Sequence, residues 1–144
     1  MNYLYQGDIP NNIKFNNSIA VDTEAMGLKN ARDRLCVVQI SSGDGTTHLI
    51  QLGASFNYSA PNLKSLLRDA SLLKIFHYAR FDLAIIKQYL GVLPKNIYCT
   101  KIASKLARTY TDRHGLRELC KELLNVEISK QQQSSYWGKN ILSK

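Results

Sequence analysis

Two acidic residues, Asp22 and Glu24, stand at the end of a short apolar run over residues 18–22. Acidic side chains are uncommon in strands, so two of them at this place need an explanation. Positions i and i+2 of a strand lie on one face, about 6–7 Å apart, where two carboxylates repel each other unless a cation lies between them. Carboxylate oxygens are ligands that suit Mg²⁺ or Mn²⁺. The pattern has two interpretations: a divalent-cation site, or a strand end that frays into solvent.

A third acidic residue, Asp82, lies in the first turn of a helix predicted over 80–90, directly after the apolar stretch 73–76. An acid in the first turn also interacts favourably with the helix dipole, and that alone is a sufficient reason for it. A site shared with Asp22 requires the stretch 73–76 to pair beside the strand over 18–22. The cation interpretation therefore predicts that these two strands are neighbours.

The apolar pattern predicts strands first and an alternation of helices and strands afterwards. Three strands over 18–22, 35–41 and 46–52, joined by short turns, are typical of an antiparallel meander. The order βββ followed by αβαβαα indicates an α/β fold with a mixed sheet and helices on its faces. The later elements are predicted at 61–68 (α), 73–76 (β), 80–90 (α), 97–99 (β), 100–108 (α) and 114–124 (α).

Length and composition predict one compact domain over residues 1–144. The chain is 44% hydrophobic and 21% charged, which excludes a disordered tail. No apolar run approaches the length that spans a membrane, and no secretory signal is visible at the start, so we expect no membrane contact. The net charge of +8 makes nucleic acid the first partner to consider, although many basic proteins bind none. Three widely spaced cysteines without a Cys-x-x-Cys motif favour a reducing, cytoplasmic location.

Two further groups of residues could take part in chemistry. His114 begins the helix predicted over 114–124 and could act as a general base, although a histidine at a helix start is more often a cap or a surface residue. Arg108, Tyr110 and Arg113 form a basic and aromatic patch that could contact phosphates and bases. The sequence contains neither a GxxxxGK[ST] loop nor a GxGxxG loop.

Four blocks of the sequence together resemble the DEDD 3′–5′ exonuclease superfamily, and most closely the small bacterial ribonuclease D-like proteins of its DEDDy subgroup. The similarity covers nearly the whole chain and extends to the polar run 131–135 with Trp137. The combination is far more specific than any single block. The blocks are Ala20-Val-Asp-Thr-Glu24 with Gly27-Leu28, residues 33–41, residues 76–82, and residues 99–104 followed by 110–116.

This resemblance implies a ribonuclease H-like fold and hydrolysis of RNA at its 3′ end. It implies that Asp22, Glu24 and Asp82 are the catalytic residues and hold two Mg²⁺ or Mn²⁺ ions, which about 3.5–4 Å apart can activate a water and stabilise the leaving oxygen. Leu28 matches an apolar wedge against the last base. For His77 and Phe81, core packing is the competing interpretation. The positions implied to bind substrate are Thr23, Met26, Gly27, Leu28, His77 and Phe81.

The sequence departs from the family at a fourth acidic motif, Tyr-x-x-x-Asp, which is expected on a later helix after Trp137. No aspartate follows Asp112, and the residue four positions after Tyr136 is Asn140. The resemblance therefore implies an exonuclease domain that is incomplete at the C-terminus, without its final helix. Loss of a positioned proton-transfer group alone costs about 10²–10⁴-fold in rate, so impaired activity is expected. The alternatives are a non-catalytic nucleic-acid-binding remnant, or one half of a split exonuclease completed by a separate C-terminal fragment.

Overall fold

A computed structural model describes residues 1–53 and 57–129 of the chain. The polar run 131–135, Tyr136 and Trp137 lie outside the described residues. None of the described helices is both long and apolar enough to cross a membrane. The strands are β1 Asn2–Gln6, β2 Ser18–Ala25, β3 Leu35–Ser41, β4 Thr47–Gln51, β5 Leu73–Phe76 and β6 Ile97–Cys99, and the helices are α1 Pro61–Arg68, α2 Ala79–Leu90, α3 Thr100–Ala107 and α4 Leu116–Leu124.

The strands of the described residues form one mixed sheet in the order β1-β4-β3-β2-β5-β6. Strands β2, β3 and β4 are antiparallel neighbours, which confirms the predicted meander. Strands β1, β5 and β6 are each parallel to their neighbour. The α/β class with a mixed sheet is therefore confirmed, and β5 lies directly beside β2 as the cation interpretation required.

One missed strand and two boundaries that moved by two or more residues are the main differences from the sequence prediction. Strand β1 was not predicted, because most of its side chains are exposed and it carries no apolar run; its parallel pairing with β4 holds it at the sheet edge. Strand β2 continues to Ala25 instead of ending at Asp22, because β3 pairs with it over this length. Helix α4 begins at Leu116 instead of His114, since Gly115 still has an extended backbone.

Strand β3 is the centre of the core. Five of its seven residues are almost fully buried, among them Leu35, Val38 and Ile40. A strand buried on both faces is a continuous apolar run instead of an alternating one, as this sequence is. Apolar residues of α1 and α2 belong to the same hydrophobic cluster. The central strand is thus held firmly, and β2, its neighbour, is held with it.

Lys74 stabilises the turn between α1 and β5 from inside the protein. Its side chain is fully buried, and its ammonium group donates hydrogen bonds to the carbonyl oxygens of Leu72, at 2.9 Å, and of Asp69. Burial lowers the pKa of Lys74, while the charge of Asp69 opposes that change. These bonds satisfy carbonyls at the end of α1 and help to place β5 beside β2.

Helix α1 is capped by a residue from a distant part of the chain. Its own N-cap, Ala60, has a left-handed backbone and no side chain that could accept a hydrogen bond. The carboxylate of Asp8 instead accepts from the backbone N–H groups of Asn62, at 2.8 Å, and Leu63, at 2.9 Å. A negative charge at a helix N-terminus is favourable, so Asp8 both caps α1 and ties it to the segment after β1.

Replacing Asp8 by alanine should lower the free energy of unfolding by about 1–2 kcal/mol, because the first turn of α1 loses two acceptors. Urea denaturation followed by circular dichroism measures this change. The control is Asp112→Ala, which alters an exposed aspartate in the turn before α4 and should change stability by less than about 0.5 kcal/mol. Equal effects of the two substitutions would contradict the capping role.

Candidate active site

Strand β2 carries Asp22 and Glu24 on one face of the sheet. Asp22 lies opposite Gln39 of β3, and Glu24 lies opposite Val37. Pairing continues to Ala25 through a register irregularity after Glu24. Both acids therefore belong to a paired strand, and the interpretation as a frayed strand end is wrong. A bulge at the end of a strand commonly re-aims the side chains near it, as is frequent beside active sites.

The third acid reaches β2 from the first turn of α2. Asp82 is only 3% exposed, and its Oδ1 accepts a hydrogen bond of 2.7 Å from the buried hydroxyl of Thr23. Asp82 therefore lies at the same end of β2 as Asp22 and Glu24, near enough for its charge to act on Glu24. The left-handed backbone of Tyr78, with φ 65°, turns the chain from β5 into α2 and makes this approach possible.

The three carboxylates disfavour one another's negative charge. Burial raises the pKa of Glu24 to about 7, with the charges of Asp22 and then Asp82 adding to the effect. Burial also raises the pKa of Asp82 to about 6; the hydrogen bond from Thr23 opposes this change and the charge of Asp22 adds to it. The pKa of Asp22 is raised by burial, although its side chain is open to solvent on one side. Three such groups form a site that a positive ion would stabilise.

The donor set fits a hard divalent cation, since it consists of carboxylate oxygens from two neighbouring elements. In the parts of the chain that the structure describes, no three acidic, histidine or cysteine side chains stand close enough to form a finished set of metal ligands. Asp82 is turned to Thr23, and Glu24 Oε1 accepts a 3.4 Å hydrogen bond from Gln39. One oxygen of Asp82 and one of Glu24 are thus engaged in hydrogen bonds within the protein.

The loop after β2 is shaped by Asp33. A Cβ atom on Gly27 would lie 2.3 Å from Asp33 Oδ2, so only glycine leaves room for that carboxylate. Asp33 accepts hydrogen bonds from the backbone of Lys29, at 2.9 Å, and from Arg32, at 2.6 Å. Leu28 is 85% exposed on the loop that results. The geometry gives Gly27 a structural role and leaves the apolar side chain of Leu28 open to a ligand.

The other positions implied to bind substrate have different surroundings. Met26 is exposed beside Leu28, whereas Thr23 is buried and engaged with Asp82. Phe81 is half-buried and packs against the hydrophobic core, as its competing interpretation proposed. His77 is half-buried, with Nδ1 2.9 Å from the hydroxyl oxygen of Thr100. Thr23 therefore contacts one of the acids, Asp82, and Phe81 packs against the core.

Of the predicted basic and aromatic patch, Tyr110 and Arg113 are exposed, whereas Arg108 is buried and paired. Arg108 is only 6% exposed and forms an ion pair with Glu122, to which the Tyr110 hydroxyl also donates. It also donates to Ser104 at 2.9 Å. His114 Nδ1 lies 2.8 Å from the same Ser104 hydroxyl, buried between α3 and α4. These contacts favour a structural role for Arg108 and His114.

Comparison with known proteins agrees with this geometry. A family model described as 3′–5′ exonuclease matches residues 8–144. The chain belongs to this 3′–5′ exonuclease family. Ribonuclease D of Granulibacter bethesdensis is 30% identical over 125 residues, which is 87% of this chain and 31% of that protein. The chain therefore spans about a third of the length of such ribonuclease D relatives.

Solved structures show the same exonuclease fold. Brucella melitensis NrnC with bound Mg²⁺ superimposes with a TM-score of 0.91 and 52% identity, covering 99% of this chain and 69% of that one. NrnC bound to pGG gives a TM-score of 0.91 and 53% identity, with the same coverage. Escherichia coli RNase D gives 0.72 and 25%, covering 88% of this chain and 33% of that one. These matches confirm the exonuclease resemblance and the ribonuclease H-like fold.

Two neighbours of His77 have no signal in the sequence. Thr100 contacts Nδ1 of His77, and the Lys101 ammonium group lies 4.2 Å from the centroid of the Tyr78 ring. Neither stands out by spacing, because both approach His77 through the parallel pairing of β5 with β6. The packing of Asp33 against Gly27 has no local signal in the sequence, because the two residues are brought together by the shape of the loop.

Replacing Asp82 by asparagine should stabilise the protein in EDTA at neutral pH. A carboxyl pKa raised to about 6 means that stability falls as the pH rises from the ordinary aspartate value through about 6, so the full cost is present at neutral pH. Asparagine carries no charge and keeps an acceptor for Thr23. The free energy of unfolding should rise by roughly 1–3 kcal/mol.

The same substitution should weaken stabilisation by divalent cations. Thermal melts with and without Mn²⁺ measure this, with Asp112→Asn as the charge-matched control at an exposed turn. The wild type and the control should gain stability from Mn²⁺, and Asp82→Asn should gain less. A variant that is less stable than the wild type in EDTA would contradict the repulsion between the acids.

Proposed function

We propose that this chain carries the catalytic site of a 3′–5′ exoribonuclease of the ribonuclease D type, which removes nucleotides from RNA 3′ ends with two divalent cations, Mg²⁺ or Mn²⁺. The observation that carries the proposal is the meeting of Asp22, Glu24 and Asp82 at one end of β2, joined through the bond of Thr23 to Asp82. Membership of the exonuclease family and the similarity to NrnC with bound Mg²⁺ support it.

In this proposal Asp22, Glu24 and Asp82 hold the cations, which when bound would activate a water and stabilise the leaving oxygen. The Thr23 hydroxyl donates to Asp82 and orients its carboxylate. Gln39 orients Glu24 in the same way. Such supporting hydrogen bonds fix ligand geometry, and their loss commonly costs 10–100-fold in affinity or activity.

The exposed side of the site is suited to the end of a nucleic-acid strand. Met26 and Leu28 offer exposed apolar surface directly after β2, and apolar side chains can pack against a terminal base. The net charge of +8 favours a polyanion. The relative NrnC is known bound to pGG, which supports RNA, and short RNA in particular, as the substrate class for this chain.

We further propose that residues 1–144 alone, as a single domain, have a lower activity than a site that also contains the fourth acidic motif. It supplies three carboxylates, and no Tyr-x-x-x-Asp motif follows Asp112 within it. Supplying that motif, on the same chain or on a separate fragment, should raise the activity. A cytoplasmic location is also part of the proposal, because Cys36, Cys99 and Cys120 are free thiols.

The test is an assay on 5′-labelled single-stranded RNA with Mn²⁺. We expect the label to move down in one-nucleotide steps, and we expect Asp22→Asn to slow this by more than about 100-fold, because a metal ligand is lost. The matched control is Asp44→Asn, an exposed aspartate in the β3–β4 turn, which should shorten RNA at the wild-type rate.

Other outcomes separate the alternatives. RNA binding without shortening, unchanged by EDTA, would favour a non-catalytic binding domain. Shortening that requires an added peptide with a Tyr-x-x-x-Asp helix would favour a split enzyme. Shortening that Asp22→Asn leaves intact would contradict the proposed site.

Replacing Leu28 by alanine should raise KM for short RNA and leave stability unchanged. Leu28 is 85% exposed, so its removal leaves no cavity in the core. Each buried CH₂ group is worth about 0.8 kcal/mol, so loss of up to three carbons packed on a base should weaken binding about 4- to 50-fold. Leu106→Ala is the matched control, a leucine 77% exposed on α3. If both variants have the wild-type KM, Leu28 is not part of the binding surface.

A further inference from the structure

His77 is held by a chain of two hydrogen bonds at the junction of β5, β6 and α3. Its Nδ1 lies 2.9 Å from the hydroxyl oxygen of Thr100, the first residue of α3. The same hydroxyl donates to the backbone carbonyl oxygen of Phe76 at 3.2 Å. Phe76 ends β5, directly before His77, so the three groups form one closed arrangement.

The number of protons in this arrangement decides the state of the ring. A threonine hydroxyl has one proton to donate and two lone pairs that accept. When that proton lies on the bond to Phe76, the oxygen of Thr100 can only accept from His77, and Nδ1 must carry hydrogen. The reverse arrangement would leave two oxygens 3.2 Å apart with no proton between them, which is repulsive.

The surroundings of His77 favour the neutral ring, for which the position of the proton matters. Burial lowers the pKa of His77, and the charge of nearby Lys101 lowers it further. Lys101 is held in place over the ring of Tyr78, 4.2 Å from its centroid. A neutral imidazole has one donor and one acceptor nitrogen, and the partner of one nitrogen sets the role of the other.

We propose that Thr100 is a positioning residue that holds His77 as its Nδ1–H tautomer, so that Nε2 is the hydrogen-bond acceptor left for substrate. The neutral ring then accepts a hydrogen bond from a hydroxyl group, either of a nucleotide sugar or of a water molecule. It does not donate to a phosphate oxygen in this form. The consequence for catalysis rests on the proposed function, whereas the tautomer itself does not.

The tautomer is measured by long-range ¹H–¹⁵N correlation spectra of the full chain at neutral pH. The chain has three histidines, and loss of one signal set in His77→Asn assigns His77. We expect protonated Nδ1 and unprotonated Nε2 in the wild type and in Thr100→Ser, which keeps the hydroxyl. Thr100→Val removes the acceptor, and the proton should move to Nε2. A wild-type ring protonated at Nε2 would overturn the proposal.

Activity on RNA supplies the second measurement. Thr100→Val should reduce kcat/KM by about 3- to 10-fold, the value of one hydrogen bond, while Thr100→Ser stays within about twofold of the wild type. Adding Thr100→Val to His77→Asn should cause no further loss, because Thr100 acts through His77. An additive loss in the double variant would overturn the positioning role.

Folding is checked on each variant by thermal melting. If Thr100→Val fails to fold, the wild-type and Thr100→Ser spectra still decide the tautomer. If the wild type shortens no RNA but carries its proton on Nδ1, the proposed function fails and the assignment of Thr100 stands. If RNA is shortened and the proton is on Nε2, the proposed function stands and this inference fails.

Discussion

The parallel pairing of β2 with β5 is the constraint on which the site depends. It joins residues 18–20 to residues 73–75, and the chain after β5 then has no choice but to begin α2 beside the end of β2. Asp82 thereby arrives next to Thr23, fifty-nine positions away in sequence. A strand pair of only three residues suffices, because β3 pairs with β2, β6 pairs with β5, and apolar residues of α1 and α2 belong to the same core.

The same arrangement sets local stability against function. Three carboxylates near one another and partly removed from water raise one another's pKa values, as Glu24 shows with a pKa of about 7. The hydrophobic core and the Asp8 cap of α1 supply stability elsewhere, so the fold can tolerate this repulsion. Sites that bind cations commonly show such repulsion, because their carboxylates are arranged to bind a positive ion and not to stabilise the ion-free protein.

Much of this architecture could be predicted from sequence. The long apolar run of β3 and the spacing of apolar residues within α1 and α2 are direct consequences of burial. Asp22 and Glu24 were found because charged residues are unusual in a strand. Strand β1 could not be found, because its pairing with β4 and not its side chains creates it. The burial of Arg108 was also invisible, since Glu122, its partner, lies a helix away. Local pattern predicts elements well, but contacts between distant polar side chains have no local signature.

The packing of Asp33 against Gly27 shapes the loop after β2 without involving the acids of that strand. A Cβ atom at position 27 would collide with the Asp33 carboxylate, which accepts from the backbone of Lys29, yet no described hydrogen bond joins either residue to the three acids. A substitution at position 27 should therefore disturb the loop that carries Leu28 and leave the hydrogen bonds of Asp82 and Glu24 as they are. The loop and the acidic cluster are thus two separately adjustable parts of one strand end.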